Sequence, residues 1–509
     1  MGLDSGAFSV SFVFVFLCLL FKSLDRQIRD SILAKRKRKV FNSLMRLWLN
    51  ESLRIRVVMG KDRISELPDA LLIKILSFLP TKIVVATSVF SKQWRPLWKL
   101  VPNLEFDSED YDDKEQYTFS EIVCKSFLSH KAPVLESFRL EFESEKVDPV
   151  DIGLWVGIAF SRHLRELVLV AADTGTGTAF KFPSSLCTCN TLETLRLVLL
   201  ILVDISSPVV MKSLRTLHLE LVSYKDESSI RNLLSGCPIL EELLVIRGED
   251  SDIEVFTIDE VPSLKRLTIN DDHDGQEFWG YVINAPSLKY LLIEDLRCPG
   301  FCLNAPELME ANIFDGTSIT NDNFLGYLTS VKRLLLNLSP WKITYPTGSI
   351  FYQLVSLEMY TREIDWWDLL TLMLEHSPKL QVLKLTDVRH FIISQLCIFN
   401  CVKFHKNGLP GGKWNEPKYV PECLLSHLET FVWRRFDWGR EEEKEIATYI
   451  LKNARRLNKA TFSTNPVNSE ELDKLKERRK VHNELDGVVR ASNSCQVLGS
   501  GASRWELKT

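Results

Sequence analysis

A chain of 509 residues with 45% hydrophobic and 26% charged side chains has the composition of an ordinary folded protein, which excludes disorder throughout. It leaves room for two or three domains, or for one repeat array with small modules. A net charge of -4 gives no global basic field, so nucleic acid is not an expected partner, and eleven cysteines without framework spacing exclude a secreted disulfide scaffold.

The chain opens on AFSVSFVFVFLCLLF, residues 7–21, an uncharged run followed by Lys22 and later by KRKRK at 35–39. About 20 apolar residues normally cross a bilayer, and no basic residue precedes this run, so it fits a cleaved leader poorly. Two readings stay open for residues 1–58. One is a signal anchor, whose downstream Lys and Arg would keep the remainder cytoplasmic. The other is an extension dispensable to a protein that works from Met59, with KRKRK as a candidate nuclear address.

Next comes LPDALLIKILSFLP, residues 67–80, a short helical stretch with nine apolar side chains that opens and closes on a Leu-Pro pair. At about 100° per residue, Phe78, Leu71, Ile75, Leu79, Leu72 and Leu76 span an arc of roughly 160°, with Asp69, Ser77 and Lys74 opposite. So wide an apolar face needs two partners, and the second is expected to be another protein. The acidic stretch EFDSEDYDDKEQY, residues 105–117, reads as solvated, and residues 107–129 as a linker.

From residue 135 one pattern recurs, L-x-x-L-x-L with conservative substitutions: LESFRL at 135, LRELVL at 164, LETLRL at 192, LRTLHL at 214, LEELLV at 240 and LKRLTI at 264. It continues as LKYLLI at 288, LMEANI at 308, VKRLLL at 331, LVSLEM at 354, LQVLKL at 380 and LETFVW at 428. Nine of the eleven intervals lie between 20 and 28 residues, the spacing of leucine-rich repeats; the exceptions are 29 and 48. Each unit's last three residues alternate in, out, in, as a short strand does. Six units carry a proline two residues ahead (Pro133, Pro238, Pro262, Pro286, Pro306, Pro378), which ends the preceding element and launches the strand. The predicted fold is an α/β leucine-rich-repeat solenoid, an irregular horseshoe over residues 130–400. Its outward central positions are Arg139, Val168, Arg196, His218, Leu244, Thr268, Leu292, Asn312, Leu335, Glu358, Lys384 and Val432. With neither one sign of charge nor an aromatic ladder, this face suits a protein partner better than a phosphate backbone. Arg139, Arg196, His218, Thr268, Glu358 and Lys384 are the candidate substrate contacts; the loops are the alternative binding surface.

After residue 400 comes GLPGGKWNEPKYVPECL, rich in Gly and Pro and so loop-like. EEEKEIATYILKNARRL then reads as a helix with acids at its start, Arg455 and Arg456 at its end, and an apolar stripe of Ile446, Tyr449, Ile450, Ala454 and Leu457. No phosphate-cradling loop, dinucleotide fingerprint, metalloprotease motif or nucleophile elbow is present, so no catalytic residue and no cofactor are assigned. Cys397, Cys401 and His405 are spaced to share a helix face and could hold zinc. They lack an obvious fourth ligand, and apolar packing is their expected role.

DRISELPDALLIKILSFLPTKIVVATSVFSKQWRPLWKLVPNLEF, residues 62–106, resembles the F-box of plant proteins that combine an F-box with leucine-rich repeats. The matching positions are Leu67, Pro68, Ile75, Leu76, Leu79, Pro80, Val84, Val85, Ala86, Ser88, Val89, Ser91, Trp94 and Trp98. Phe90 departs from the more usual Leu or Cys. The later residues Trp414, Pro421, Cys423, Leu424, Leu428, Glu429, Ala447, Tyr449, Ile450, Leu451, Asn453, Ala454 and Leu457 resemble the FBD module of the same family. The resemblance implies an F-box over 59–106, an FBD cap over 401–495 and a flexible tail over 496–509. It implies a non-catalytic, substrate-recognising subunit of a ubiquitin ligase. The F-box would dock on a SKP-type adaptor, and through it a cullin, by way of Leu67, Pro68, Leu71, Ile75, Leu76, Leu79, Pro80, Val89, Trp94 and Trp98. The repeats would bind an unknown protein in the cytoplasm or nucleus. The alternatives are a membrane-tethered protein or a scaffold that never triggers degradation.

Overall fold

A computed structural model describes residues 67–89, 92–111, 117–172, 179–183, 189–248, 253–259, 261–272, 280–294, 300–314, 324–338, 350–361, 366–387, 414–436, 440–463 and 487–500. They fall into two compact units divided between Lys225 and Asp226.

The first unit opens with three short helices, Asp69–Leu76, Thr81–Ala86 and Trp94–Leu97. Pro68 and Pro80 immediately precede the first two, where a missing N–H costs nothing and φ near -55° is already close to helical. Leu72, Leu76, Leu79, Ile83, Val84, Trp94, Leu97 and Val101 form the core of this module. In chain order the strands are β1 (Asn103–Asp107), β2 (Ser137–Glu143), β3 (Glu166–Ala172), β4 (Phe180–Lys181), β5 (Thr194–Leu199), β6 (Ile201–Val203), β7 (Thr216–Glu220) and β8 (Ser223–Tyr224). β1, β2, β3, β5 and β7 form a parallel sheet. β4, β6 and β8 form a second, narrow one. Side chains on β2 alternate as a strand with one buried face must: Phe138, Leu140 and Phe142 are buried.

Helices Phe119–Ser129 and Pro149–Ser161 pack against each other, with the Trp155 indole N–H 3.2 Å from Cys124 Sγ. The first begins in a capping box: Thr118 Oγ1 accepts from the Glu121 N–H at 3.3 Å, while Glu121 Oε2 accepts from the Thr118 N–H at 3.0 Å. That helix corrects the linker reading of residues 107–129. Val123 and Phe127, four apart, give the stretch its own buried stripe, which the acids before it obscure.

His130 closes the junction between module and repeats: Nε2 donates to Val101 O at 2.7 Å and Nδ1 accepts from Arg162 at 2.9 Å. Burial, and secondarily the Arg162 charge, lower its pKa below the usual 6.5, against the pull of the Val101 hydrogen bond. An unfolded histidine takes up a proton before this one does, so stability contributed here is complete above 6.5 and falls as the pH drops below it. The melting temperature is expected to fall between pH 7.5 and 5.5, and His130→Gln, which keeps an amide donor for Val101 O, to flatten the dependence. Equal slopes for both proteins would show that His130 does not carry it.

The second unit continues with β9 (Glu242–Gly248), β10 (Val255–Ile258), β11 (Arg266–Asp272), β12 (Gly280–Asn284), β13 (Tyr290–Glu294), β14 (Gly300–Asn304) and β15 (Glu310–Phe314). Then follow β16 (Arg333–Asn337), β17 (Ser356–Tyr360), β18 (Val382–Thr386), β19 (Thr430–Arg434), β20 (Lys459–Ser463) and β21 (Gln496–Ser500). β9, β11, β13 and β15–β21 form one parallel sheet, and β10, β12 and β14 a second. Each L-x-x-L-x-L segment carries a strand starting two residues into it, and the prolines act as expected. In five units the proline is the second residue of a turn whose closing N–H belongs to the repeat's first Leu: Leu240, Leu264, Leu288, Leu308 and Leu380 bond back to residue i−3 at 3.1–3.2 Å.

Helix Glu441–Asn453 buries Ile446, Tyr449 and Ile450 as predicted, and Ala454 and Leu457 follow it into the core. It stops short of Arg455 and Arg456. One further expectation changes. Residues 496–500, read as tail, are strand β21, paired along its length with β20. The FBD segment caps the repeats as expected, by continuing their sheet: β19 pairs with β18 on one side and β20 on the other.

Candidate functional site

The first helix sorts its apolar residues onto two sides. Leu72 and Leu76 point inward and are fully buried, whereas Leu71 is 48% exposed. Leu67, Leu71 and Ile75 follow one another at i, i+4 spacing, and with exposed Pro68 they form an apolar ridge. Leu67, Ile75 and Trp98 lie partly against the module's core. Val89, beyond the second helix, is 47% exposed. On the polar side Gln93 Nε2 donates to Asp69 Oδ1 at 3.1 Å, tying the first helix to the third.

Four candidate docking residues are therefore interior: Leu76, Leu79, Pro80 and Trp94 are all buried. They build the module and are covered as it stands, which leaves Leu67, Pro68, Leu71, Ile75, Val89 and Trp98 as candidates for docking. A helical wheel cannot show this. The wheel gives the arc, but which half of it meets the third helix depends on the turn at Leu79 and Pro80.

The module also covers the edge of the repeat sheet. Thr81 Oγ1 accepts from the Glu105 N–H at 2.8 Å, Asn103 Nδ2 donates to Ser77 O at 2.9 Å, and Lys82 donates to Asp110 O while lying 4.2 Å from the Tyr111 ring centroid. β1 thus has no bare edge on that side at which another strand could add.

The outward repeat positions lie in register. In the first unit Glu105, Arg139, Val168, Arg196 and His218 are side by side on consecutive strands. Arg196 grips Glu220 through two nitrogens, at 2.6 and 2.9 Å, and His218 Nδ1 lies 4.0 Å from the same carboxylate. Arg139 is shared between Glu141 at 3.5 Å and Glu105 at 3.9 Å. Burial first, and the adjacent Glu141 charge second, push Asp107 up to about 7. In the second unit Leu244, Thr268, Leu292, Asn312, Leu335, Glu358, Lys384 and Val432 form the corresponding row. Glu358 there pairs with Lys384 at 3.4 Å and Arg434 at 3.5 Å.

Among the described residues no cluster of His, Cys, Asp or Glu is arranged to hold a metal, and no helix is long and apolar enough to cross a membrane. Cys397, Cys401 and His405, and the apolar run 7–21, lie outside the described residues.

The parallel sheets with their repeating turns, and the small helical module with an apolar ridge ahead of them in the chain, define a leucine-rich-repeat protein with an F-box. Family models match three segments: the F-box domain over residues 64–106, the LRR repeats of FBD-associated F-box protein At5g56370 over 152–310, and FBD over 416–462. F-box/FBD/LRR-repeat protein At4g00160 of Arabidopsis thaliana is 97% identical over 448 residues, covering 88% of this chain and 96% of that protein. F-box/FBD/LRR-repeat protein At3g52680 and FBD-associated F-box protein At3g52670, from the same plant, are 79% and 60% identical, covering 88% and 86% of this chain and 95% and 97% of their own lengths. The chain belongs to the F-box/FBD/LRR-repeat family.

Proposed function

We propose that this protein is the substrate-recognising subunit of a SKP–cullin–F-box ubiquitin ligase, its F-box docking on a SKP-type adaptor and its repeats binding a protein substrate. The observation that carries this reading is the apolar ridge in which Pro68 and Leu71 are exposed and Leu67 and Ile75 half-exposed, on a module that buries Leu72 and Leu76 in its own core. The chain does no covalent chemistry in this role. It raises the local concentration of a substrate lysine near a conjugating enzyme held by the cullin. Such work belongs in the cytoplasm or nucleus, where scattered thiols such as Cys189, Cys237 and Cys423 stay reduced.

Leu71→Asp combined with Val89→Asp places two charges on exposed positions and leaves the core intact. The full-length variant is expected to lose at least tenfold in affinity for a SKP-type adaptor by titration calorimetry, with an unchanged melting temperature. Undiminished binding would refute adaptor docking through this ridge.

A further inference from the structure

The row of the second unit changes character along its length. Glu358, Lys384 and Arg434 are engaged with one another, but the five preceding positions, Leu244, Thr268, Leu292, Asn312 and Leu335, carry no charge. They are register partners on β9, β11, β13, β15 and β16, all half-buried on the outward face. Leucines and polar residues alternate strand by strand. Neighbouring strands lie about 4.8 Å apart, so the leucines recur roughly every 9.6 Å across the sheet.

That repeat selects a ligand conformation. An extended strand brings side chains back to one face about every 6.8 Å, and an α-helix does so about every 5.4 Å. A polyproline II segment does so every third residue, or about 9.3 Å. Polyproline II matches the roughly 9.6 Å repeat most closely and places one side chain on each of Leu244, Leu292 and Leu335 in a single pass, whereas two turns of an α-helix, about 10.8 Å, overshoot at every step.

The chemistry around the row agrees. Polyproline II makes no internal hydrogen bonds, so its carbonyls need donors from the partner. Thr268 and Asn312 stand between the leucines. Asn312 Nδ2 donates to the Tyr290 hydroxyl at 3.0 Å, which leaves that hydroxyl's own proton to be donated elsewhere. Tyr290 lies in the register row on one side and Phe314 in the row on the other, and the Phe314 ring centroid is 6.0 Å from that of Tyr360. Aromatic walls beside a neutral floor are how proline-rich segments are held elsewhere. The flanking charges are largely engaged or muted: Arg333 pairs with Glu310 at 2.7 Å, Arg266 lies over the Tyr290 ring at 4.1 Å, and Glu294, beside Phe314, accepts from Asn270 Nδ2 at 3.5 Å and is pushed up to about 7 by burial. A charge-free floor bordered by such closed contacts complements an uncharged segment and penalises an acidic or basic one.

We infer that the outward face of β9, β11, β13, β15 and β16 binds an uncharged, proline-rich segment in the polyproline II conformation, running across the strands. This names the class of substrate for the repeats and rests on the reading that they recognise one.

The test uses the full chain with its adaptor and a fluorescently labelled peptide of three Ala-Pro-Pro repeats, against a Gly-Ser peptide of equal length. Saturable binding of the proline peptide alone is expected, weakened at least tenfold by Leu292→Asp and severalfold by Asn312→Ala. Lys212→Ala, at an exposed turn of the first unit, should leave it unchanged. Circular dichroism checks that each variant is folded, and Asn312→Ala carries the test if Leu292→Asp is not. Failure of the proline peptide to bind, or binding indifferent to both variants, overturns the inference. If repeat-dependent ubiquitination of some protein lacking a proline-rich segment persists, the recognition role stands and only this ligand class falls.

Discussion

Replacing Asp271 by alanine is expected to lower the unfolding free energy of the second unit by about 1–3 kcal/mol, the usual cost of leaving a buried hydrogen-bonding group without its partner. Asp271 and Arg247 are register partners on β11 and β9, and both are fully buried. The Arg247 guanidinium donates to Gly280 O at 3.4 Å and to Ile253 O, and lies 5.3 Å from the Tyr281 ring centroid. The Tyr281 hydroxyl donates to Asp271 Oδ1. An arginine cannot shed its proton in the interior, so losing the carboxylate leaves a positive charge in a low-dielectric space. Arg247→Met with Asp271→Leu removes both charges and should cost far less. Urea unfolding followed by circular dichroism distinguishes the cases. A loss below about 1 kcal/mol for Asp271→Ala, or an equal loss for the double variant, would show that the network does not matter in this way. Arg247 and Asp271 stand three residues beyond Leu244 and Thr268, on the opposite face of the same strands, so the network also holds the floor of the proposed binding row.

The repeats were legible in the sequence because one physical constraint, burial of every second residue on a short strand, prints the same letters twelve times. Outward positions could be read across before any register was known, since each strand starts at the same point of its motif. The strands that escaped have weaker lettering. In LNKATF at 457 an alanine stands where the repeat wants leucine, and Ala460 is fully buried all the same, as the inward residue of β20. β10, β12 and β14 hide in the stretches just before Pro262, Pro286 and Pro306, where pairs such as Phe256 with Ile258 and Tyr281 with Ile283 alternate over four or five residues only. At so short a length, period two is hard to separate from chance. Arg247 and Asp271 gave no signal, because a charged residue inside a strand reads as solvated until its partner on the next strand is known.

In the F-box the sequence named candidate residues but not the route by which each would act, and Leu76 separates the two routes. Leu76→Ala is expected to cost about 2–5 kcal/mol, since the side chain is fully buried and its removal leaves a cavity among Leu72, Leu79 and Trp94. A module of three helices totalling 18 residues has little reserve against such a loss. Adaptor binding should therefore fail in Leu76→Ala together with protease resistance of residues 67–101, and should return on cooling or with osmolytes that favour burial. Leu71→Asp, on the exposed ridge, should fail to bind at every temperature while resisting protease like the parent. Were Leu76→Ala instead as protease-resistant as the parent and still unable to bind, this leucine would have to reach the adaptor directly, and the helix would have to turn its buried side outward on docking.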